Sequence, residues 1–327
     1  MLTFLSAAFA KAQAVYVDGL PRDTSYNLNR TFLKERKKFP FIRPVYSKLP
    51  KGVVAYEGLV YSVVDSSPYE DRKLHVNLYR LDNNKVYPAL IMVHGGGWSS
   101  GDFTMQIPLA QQIAARGYVT VPVEYRLTPE AKYPAGIHDL RACVRWVRTH
   151  AEQYGIDASR IAISGCSAGG QMATLVGAAN GVPQYESQRG NTDISGMVQA
   201  VVNVDGLSDF TVKEAIERAA RAKAEEKNLP VDAQWLGGAY EERSNTWKEA
   251  SPVYWVSHQS APVCFINSST PRFHNGRDKM IQKLDSLSIY SEVHTMEDTP
   301  HPFWLFEPWF DPTVSCIVNF LDRVLSK

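Results

Sequence analysis

With 327 residues, 44% of them hydrophobic and 11% aromatic, the chain has enough apolar side chain to bury a sizeable core, which excludes disorder for its bulk. The 35 Lys and Arg balance 34 Asp and Glu, so no overall field draws the protein to nucleic acid or to an anionic membrane surface. The four cysteines, Cys143, Cys166, Cys264 and Cys316, lack CxxC spacing and do not report the redox compartment.

Residues 1–14 join a short apolar stretch to Ala12-Gln13-Ala14, a small-x-small pattern that fits a cleaved signal, although no basic segment precedes it. The expectation is a secreted or periplasmic protein; a frayed first helix of a cytoplasmic one is the alternative. Residues 15–50, rich in Pro, Arg, Lys and Tyr, show no clear period and read as an extended arm laid on a catalytic domain spanning 51–327. Nothing later approaches the roughly 18 consecutive apolar residues of a membrane span.

Strand patterns follow at 53–64, 74–80, 89–93, 119–125, 160–164, 200–205, 263–267 and 289–296. Helical periods fall at 137–154, 168–179, 211–227, 279–287 and 313–324. Strands that alternate with helices, several of them continuous apolar runs, predict an α/β fold with a mostly parallel, twisted sheet covered on both faces. The first strands have no helices between them, which predicts an antiparallel start.

The run Arg160-Ile-Ala-Ile-Ser164 leads into Gly165-Cys166-Ser167-Ala168-Gly169, a Gly-x-Ser-x-Gly between a strand and a helix. That context is what a nucleophile elbow requires, with Ser167 held at a tight turn above the sheet. A serine alcohol is a poor nucleophile until a base takes its proton, so a histidine is needed elsewhere. Of eight histidines, His301 lies in a polar turn after the last strand, while His294 lies within that strand and reads as packed or surface.

A second glycine run, His94-Gly95-Gly96-Gly97-Trp98, ends another apolar strand. Glycines let backbone N–H groups approach a developing oxyanion without side-chain interference.

Over roughly residues 55–325 the chain resembles the hormone-sensitive-lipase and acetyl-esterase branch of the α/β-hydrolases. The likeness rests on His94-Gly95-Gly96-Gly97-Trp98, Glu124-Tyr125-Arg126-Leu127-Thr128-Pro129-Glu130, Tyr133-Pro134-Ala135, Asp139, Gly165-Cys166-Ser167-Ala168-Gly169-Gly170, Leu236-Gly237-Gly238, Ser251-Pro252 and the His301 loop. It implies an α/β-hydrolase fold with an N-terminal extension, oxyanion donors at the backbones of Gly96, Gly97 and Ala168, a structural His94, and Tyr125, Arg126 and Asp139 as scaffold.

The acid departs from this pattern. Relatives carry an Asp in a His-Gly-x-x-Asp stretch after the penultimate strand, where this chain reads Phe265-Ile-Asn267-Ser268-Ser269-Thr270-Pro271-Arg272-Phe273-His274. Asp205, closing the strand at 200–205 as the acid does in pancreatic-type lipases, is preferred. Asp278 is the alternative and doubles as a candidate helix cap.

Around the crevice Trp98, Arg272, His274 and Trp304 are candidate substrate contacts, since sugar rings stack on aromatics and Arg grips a carboxylate in a fork. Phe303, Trp304 and Trp309 also read as anchors of the last helix. The loop pattern is similar to that of exported carbohydrate esterases of bacteria that degrade plant polysaccharides. The expected function is therefore a serine esterase removing acetyl or methyl groups from polysaccharides or oligosaccharides, with neither metal nor organic cofactor. A carboxylesterase or lipase for small apolar acyl esters, and a catalytically silent binding protein on the same scaffold, are the competing readings.

Overall fold

The computed structural model describes residues 15–17, 19–66, 69–186 and 192–326; the expected signal segment, residues 1–14, lies outside them. Eight strands form the main sheet: β1 (Val53–Ser66), β2 (Tyr69–Leu81), β3 (Tyr87–Val93), β4 (Val119–Val123), β5 (Ile156–Cys166), β6 (Ala200–Val204), β7 (Val263–Ser268) and β8 (Ser291–Met296). Their spatial order is β8-β7-β6-β5-β3-β4-β2-β1. The six strands from β3 to β8 run parallel, while β2 is antiparallel to both β1 and β4.

Helices cover both faces, which is why the central strands read as unbroken apolar runs. Ile91 and Val93 of β3 pack on one side with Leu140, Val144 and Val147 of α3 (Ala135–Thr149). Leu90 and Met92, pointing the other way, meet Leu109 and Ile113 of α2 (Ile107–Ala114) and Val314, Ile317 and Leu321 of the C-terminal helix Phe310–Leu325. Each such side chain contributes about 1.5–3 kcal/mol by leaving water. Truncating one, Leu140→Ala for instance, costs about 2–5 kcal/mol because a cavity remains.

The chain goes from β3 outward to β4 and then back across to β5, so the strand order reverses beside β3. A crevice opens at the carboxyl ends of strands at such a reversal. Val93, ending β3, is in register with Gly165 near the end of β5, so both glycine motifs leave the sheet side by side. The helix α4 (Ala168–Ala178) follows immediately.

Several elements differ from the sequence reading. The period at 137–154 breaks into α3 and a turn of helix at Ala151–Tyr154, which ends at Gly155 in the left-handed region. The helices Ile107–Ala114, Val231–Trp235 and Tyr240–Glu249 give too short or too polar a pattern to stand out. The arm is not simply extended. It holds α1 (Leu28–Glu35), started by the Asn27 side chain, which accepts the Arg30 N–H at 3.0 Å. Beyond α1, Arg43–Pro44 pairs with Phe306–Glu307 and ties the arm to the segment after His301. Among the described residues no helix is long and apolar enough to cross a membrane.

Candidate active site

Ser167 sits between β5 and α4 with φ 55° and ψ −121°, a conformation costly for any residue with a side chain. The turn is so tight that a Cβ on Gly165 would come within 2.1 Å of the Gly169 carbonyl oxygen, so the position accepts only glycine. The Ser167 N–H donates to the Val204 carbonyl at 2.8 Å, which locks the elbow to β6.

His301, in the turn after β8, brings Nε2 to 2.8 Å from Ser167 Oγ and Nδ1 to 2.7 Å from Asp205 Oδ2. Asp205 is fully buried just past β6. Its Oδ1 accepts the Ser268 N–H at 2.9 Å, and Oδ2 accepts the Ser268 hydroxyl at 2.6 Å. The loop that lacks a carboxylate thus supplies the donors that hold one from the neighbouring strand. The Asn267 amide adds a fourth contact, to Oδ1 at 3.3 Å, and a buried carboxylate so bonded is strongly oriented.

Asp278 is excluded from this group and is not a cap either. It lies exposed in the first turn of Arg277–Ser286, where it accepts from Arg277 Nε at 2.8 Å, and Gly276 occupies the cap position. His294 remains in β8 with Nε2 2.9 Å from Glu292.

The glycine run after β3 is pinned carbonyl by carbonyl. His94, buried, is 2.7 Å through Nδ1 from the Gly95 carbonyl and stacks on Tyr125, whose hydroxyl donates to the His94 carbonyl at 3.0 Å. Burial lowers the His94 pKa to about 4, so the ring is neutral and its Nδ1–H donates. The Gly96 carbonyl accepts from Ser99 N at 3.2 Å and Ser100 N at 3.0 Å. Peptides are planar and trans, so holding these two carbonyls turns the N–H groups of Gly96 and Gly97 the opposite way. Gly96 has φ 126°, and a Cβ there would lie 1.9 Å from the Ser100 carbonyl oxygen. Nearby, Arg126 and Asp139 form a buried fork, with Nη2 to Oδ1 at 2.7 Å and Nε to Oδ2 at 2.8 Å.

Two cavities flank Ser167 and His301. The larger, about 440 Å³, lies under the arm and is lined by Asp23, Ser25, Arg30, Lys34 and Glu35 together with Gly96 and Gly97. The smaller, about 190 Å³, is bounded by Ala168, Leu207, Val231, Arg272 and Phe273.

Of the four proposed substrate contacts, Trp98 and Arg272 both line the smaller cavity, and desolvation lowers the Arg272 pKa. Neither Trp98 nor Trp304 is an exposed platform. The Trp98 ring borders that cavity while stacking on Trp235 at 5.0 Å and donating its indole N–H to Gln171 at 2.9 Å. Trp304 is buried with its ring edge-on to His301 at 5.2 Å, closer to the anchoring role. His274 is engaged through Nε2 with the Ser268 carbonyl at 2.8 Å.

Three contributors escaped the sequence reading: Ser268 on Asp205, Phe273 on His301, and the arm as a wall of the larger cavity. For Phe273 the one signal was an aromatic residue inside an otherwise polar loop. Cys264, Glu292 and His294 also bring ligand atoms within 4.8 Å of one another across β7 and β8, a grouping that no spacing in the sequence marks. There Glu292 already accepts from Tyr290 and Arg323, so the group is an ion-pair network at the sheet edge.

A family model described as BD-FAE matches residues 76–291. The chain belongs to the BD-FAE family, within the α/β-hydrolase superfamily. Esterase LipC of Mycobacterium tuberculosis is 30% identical over 253 residues, 73% of this chain and 59% of LipC, so the chain spans under two thirds of that relative. Carboxylesterase NlhH of the same species is 44% identical over 90 residues, covering 27% of this chain and 28% of NlhH. Among solved structures, a truncated carbohydrate esterase from gut microbiota aligns with TM-score 0.68 and 20% identity over 87% of this chain and 99% of that one. A propionate-bound thermophilic esterase of Thermogutta terrifontis gives TM-score 0.65 and 21% identity over 84% and 95%. At such identities the shared feature is the BD-FAE member's fold.

Proposed function

We propose that this chain is a serine esterase acting through an acyl-enzyme, with short acyl esters of carbohydrates as its substrates. The observation that carries the reading is the unbroken line of hydrogen bonds from Ser167 through His301 to buried Asp205. Ser167 Oγ attacks the ester carbonyl while His301 Nε2 takes its proton, and Asp205 stabilises the imidazolium through Nδ1–H. The N–H groups of Gly96, Gly97 and Ala168 receive the oxyanion. His301 then protonates the leaving alcohol, and water activated by the same nitrogen releases the acid.

The division of space supports the substrate class. A 190 Å³ chamber with Leu207, Val231 and Phe273 on its walls suits an acetyl-sized group better than a long acyl chain. The 440 Å³ chamber under the arm presents charged and hydroxyl side chains, which suits a sugar as the alcohol. The gut-microbiota relative is described as a carbohydrate esterase, and the Thermogutta enzyme holds a three-carbon acid.

Ser167→Ala is expected to keep the wild-type melting temperature and lose labelling by a fluorophosphonate together with hydrolysis of p-nitrophenyl acetate. Activity above a few per cent of wild type would remove Ser167 from the mechanism. Acetylated xylan, acetylated pectin and methyl-esterified pectin, run beside p-nitrophenyl butyrate, test the substrate class; exclusive turnover of the butyrate would favour the apolar carboxylesterase reading.

A further inference from the structure

We infer that the N-terminal segment Arg22–Tyr26 is a positioning element for the oxyanion donors, acting through Ser100; the inference rests on the esterase reading above. Ser100 is 2% exposed, and its hydroxyl is bonded to the arm on every side, with the Ser25 hydroxyl donating to it at 3.4 Å. It donates to the Asp23 carbonyl at 2.7 Å and accepts the Tyr26 N–H at 2.8 Å. Asp23 and Ser100 also pair as a single parallel bridge. Just before this junction Arg22 binds Glu124 at 2.8 Å, and Glu124 in turn holds Arg72 at 2.6 Å and His75 at 2.9 Å, so the arm is fastened to β2.

The other side of Ser100 faces the catalytic machinery. Its backbone N–H holds the Gly96 carbonyl, and through the planar peptide that bond sets the direction of the Gly97 N–H. The Tyr26 ring closes over the same turn: its Cδ1 lies 3.2 Å from where a Cβ on Gly96 would stand and 3.0 Å from the same point on Gly101. The oxyanion turn is thus clamped between the nucleophile elbow and the arm, and Gly95 marks the elbow side, since its Cβ would sit 2.8 Å from the Cys166 carbonyl oxygen. Three arm hydrogen bonds to Ser100 and one aromatic ring therefore decide how rigidly Gly97 presents its donor. A displacement of about 1 Å at such a point costs on the order of 100-fold in rate, and it costs little ground-state binding, because the donor matters most when charge develops.

The test uses the full chain with p-nitrophenyl acetate and a short-chain trifluoromethyl ketone, whose Ser167 adduct carries an oxyanion. Ser100→Ala should lower kcat by about 10- to 100-fold with KM within about threefold, and weaken ketone binding by a similar factor. Ser100→Thr, which keeps the hydroxyl, should recover most of both losses. Should Ser100→Ala fail to fold, Arg22→Gln loosens the arm away from the turn and should give a smaller, parallel loss of kcat and ketone affinity. Unchanged kcat in the folded variant, or a fall in kcat with ketone affinity intact, overturns the inference. If Ser167→Ala is inactive while Ser100→Ala behaves as wild type, this inference alone fails; if Ser167→Ala stays active, the esterase reading fails with it.

Discussion

Phe273 lies flat on the imidazole of His301, with ring centroids 3.5 Å apart and planes within 6°. The proposed mechanism makes that imidazole cationic as Ser167 is deprotonated, and a cation over an aromatic face gains about 0.5–2 kcal/mol. Trp304 confines the same ring edge-on from another direction.

Phe273→Leu is accordingly expected to lower kcat by about 2- to 30-fold, the kinetic equivalent of that energy, with a smaller change in KM. Steady-state kinetics on p-nitrophenyl acetate decide it. A kcat equal to wild type would mean that the ring merely fills space.

Asp205→Asn and Asp278→Asn should separate completely. Losing the carboxylate that orients the base costs about four orders of magnitude in kcat where nothing replaces it. Asp278, exposed and bonded to its neighbour Arg277, should leave kcat at wild-type level and stability within about 0.5 kcal/mol. Rates and melting temperatures measured together check both; an inactive, folded Asp278→Asn would relocate the acid.

Trp98→Ala separates the packing role of this buried ring from a role as a wall of the smaller cavity. Removing a buried ring stacked on Trp235 and hydrogen-bonded to Gln171 should cost about 3–5 kcal/mol in urea unfolding. A stable variant with a raised KM for carbohydrate esters would favour the wall role.

The pH dependence of stability follows from His94, whose pKa is about 4 in the fold against 6.5 when free. Between these values the unfolded chain binds a proton that the folded one does not, so stability rises with pH. The contribution is fully present above pH 6.5 and is lost as pH falls toward 4, at about 1.4 kcal/mol per pH unit within that window. Urea unfolding at pH 7 and pH 5, with the His94 ring protons followed by NMR, measures it. A His94 titration near 6.5 would contradict a neutral, buried donor to Gly95.

Local patterns in the sequence carried the alternating architecture, because the period of a buried strand or an amphipathic helix is written in consecutive residues. They also carried the glycine-bracketed turn at Ser167 and the glycine run at 95–97, where backbone geometry permits little else, and the place of His301 after the last strand. The choice between Asp205 and Asp278 was not local: the deciding bonds join Asp205 to residues 63 and 96 positions away. The burial of Trp98 and Trp304 was hidden for a related reason, since an indole reads alike whether it faces a crevice or packs on a neighbouring ring. The arm hid its part most fully. Its hold on Ser100 runs mainly through backbone groups that every residue possesses, so no residue type marked it, and only the tertiary structure, by bringing Asp23 and Tyr26 against that hydroxyl, made residues between 23 and 35 a wall of the site.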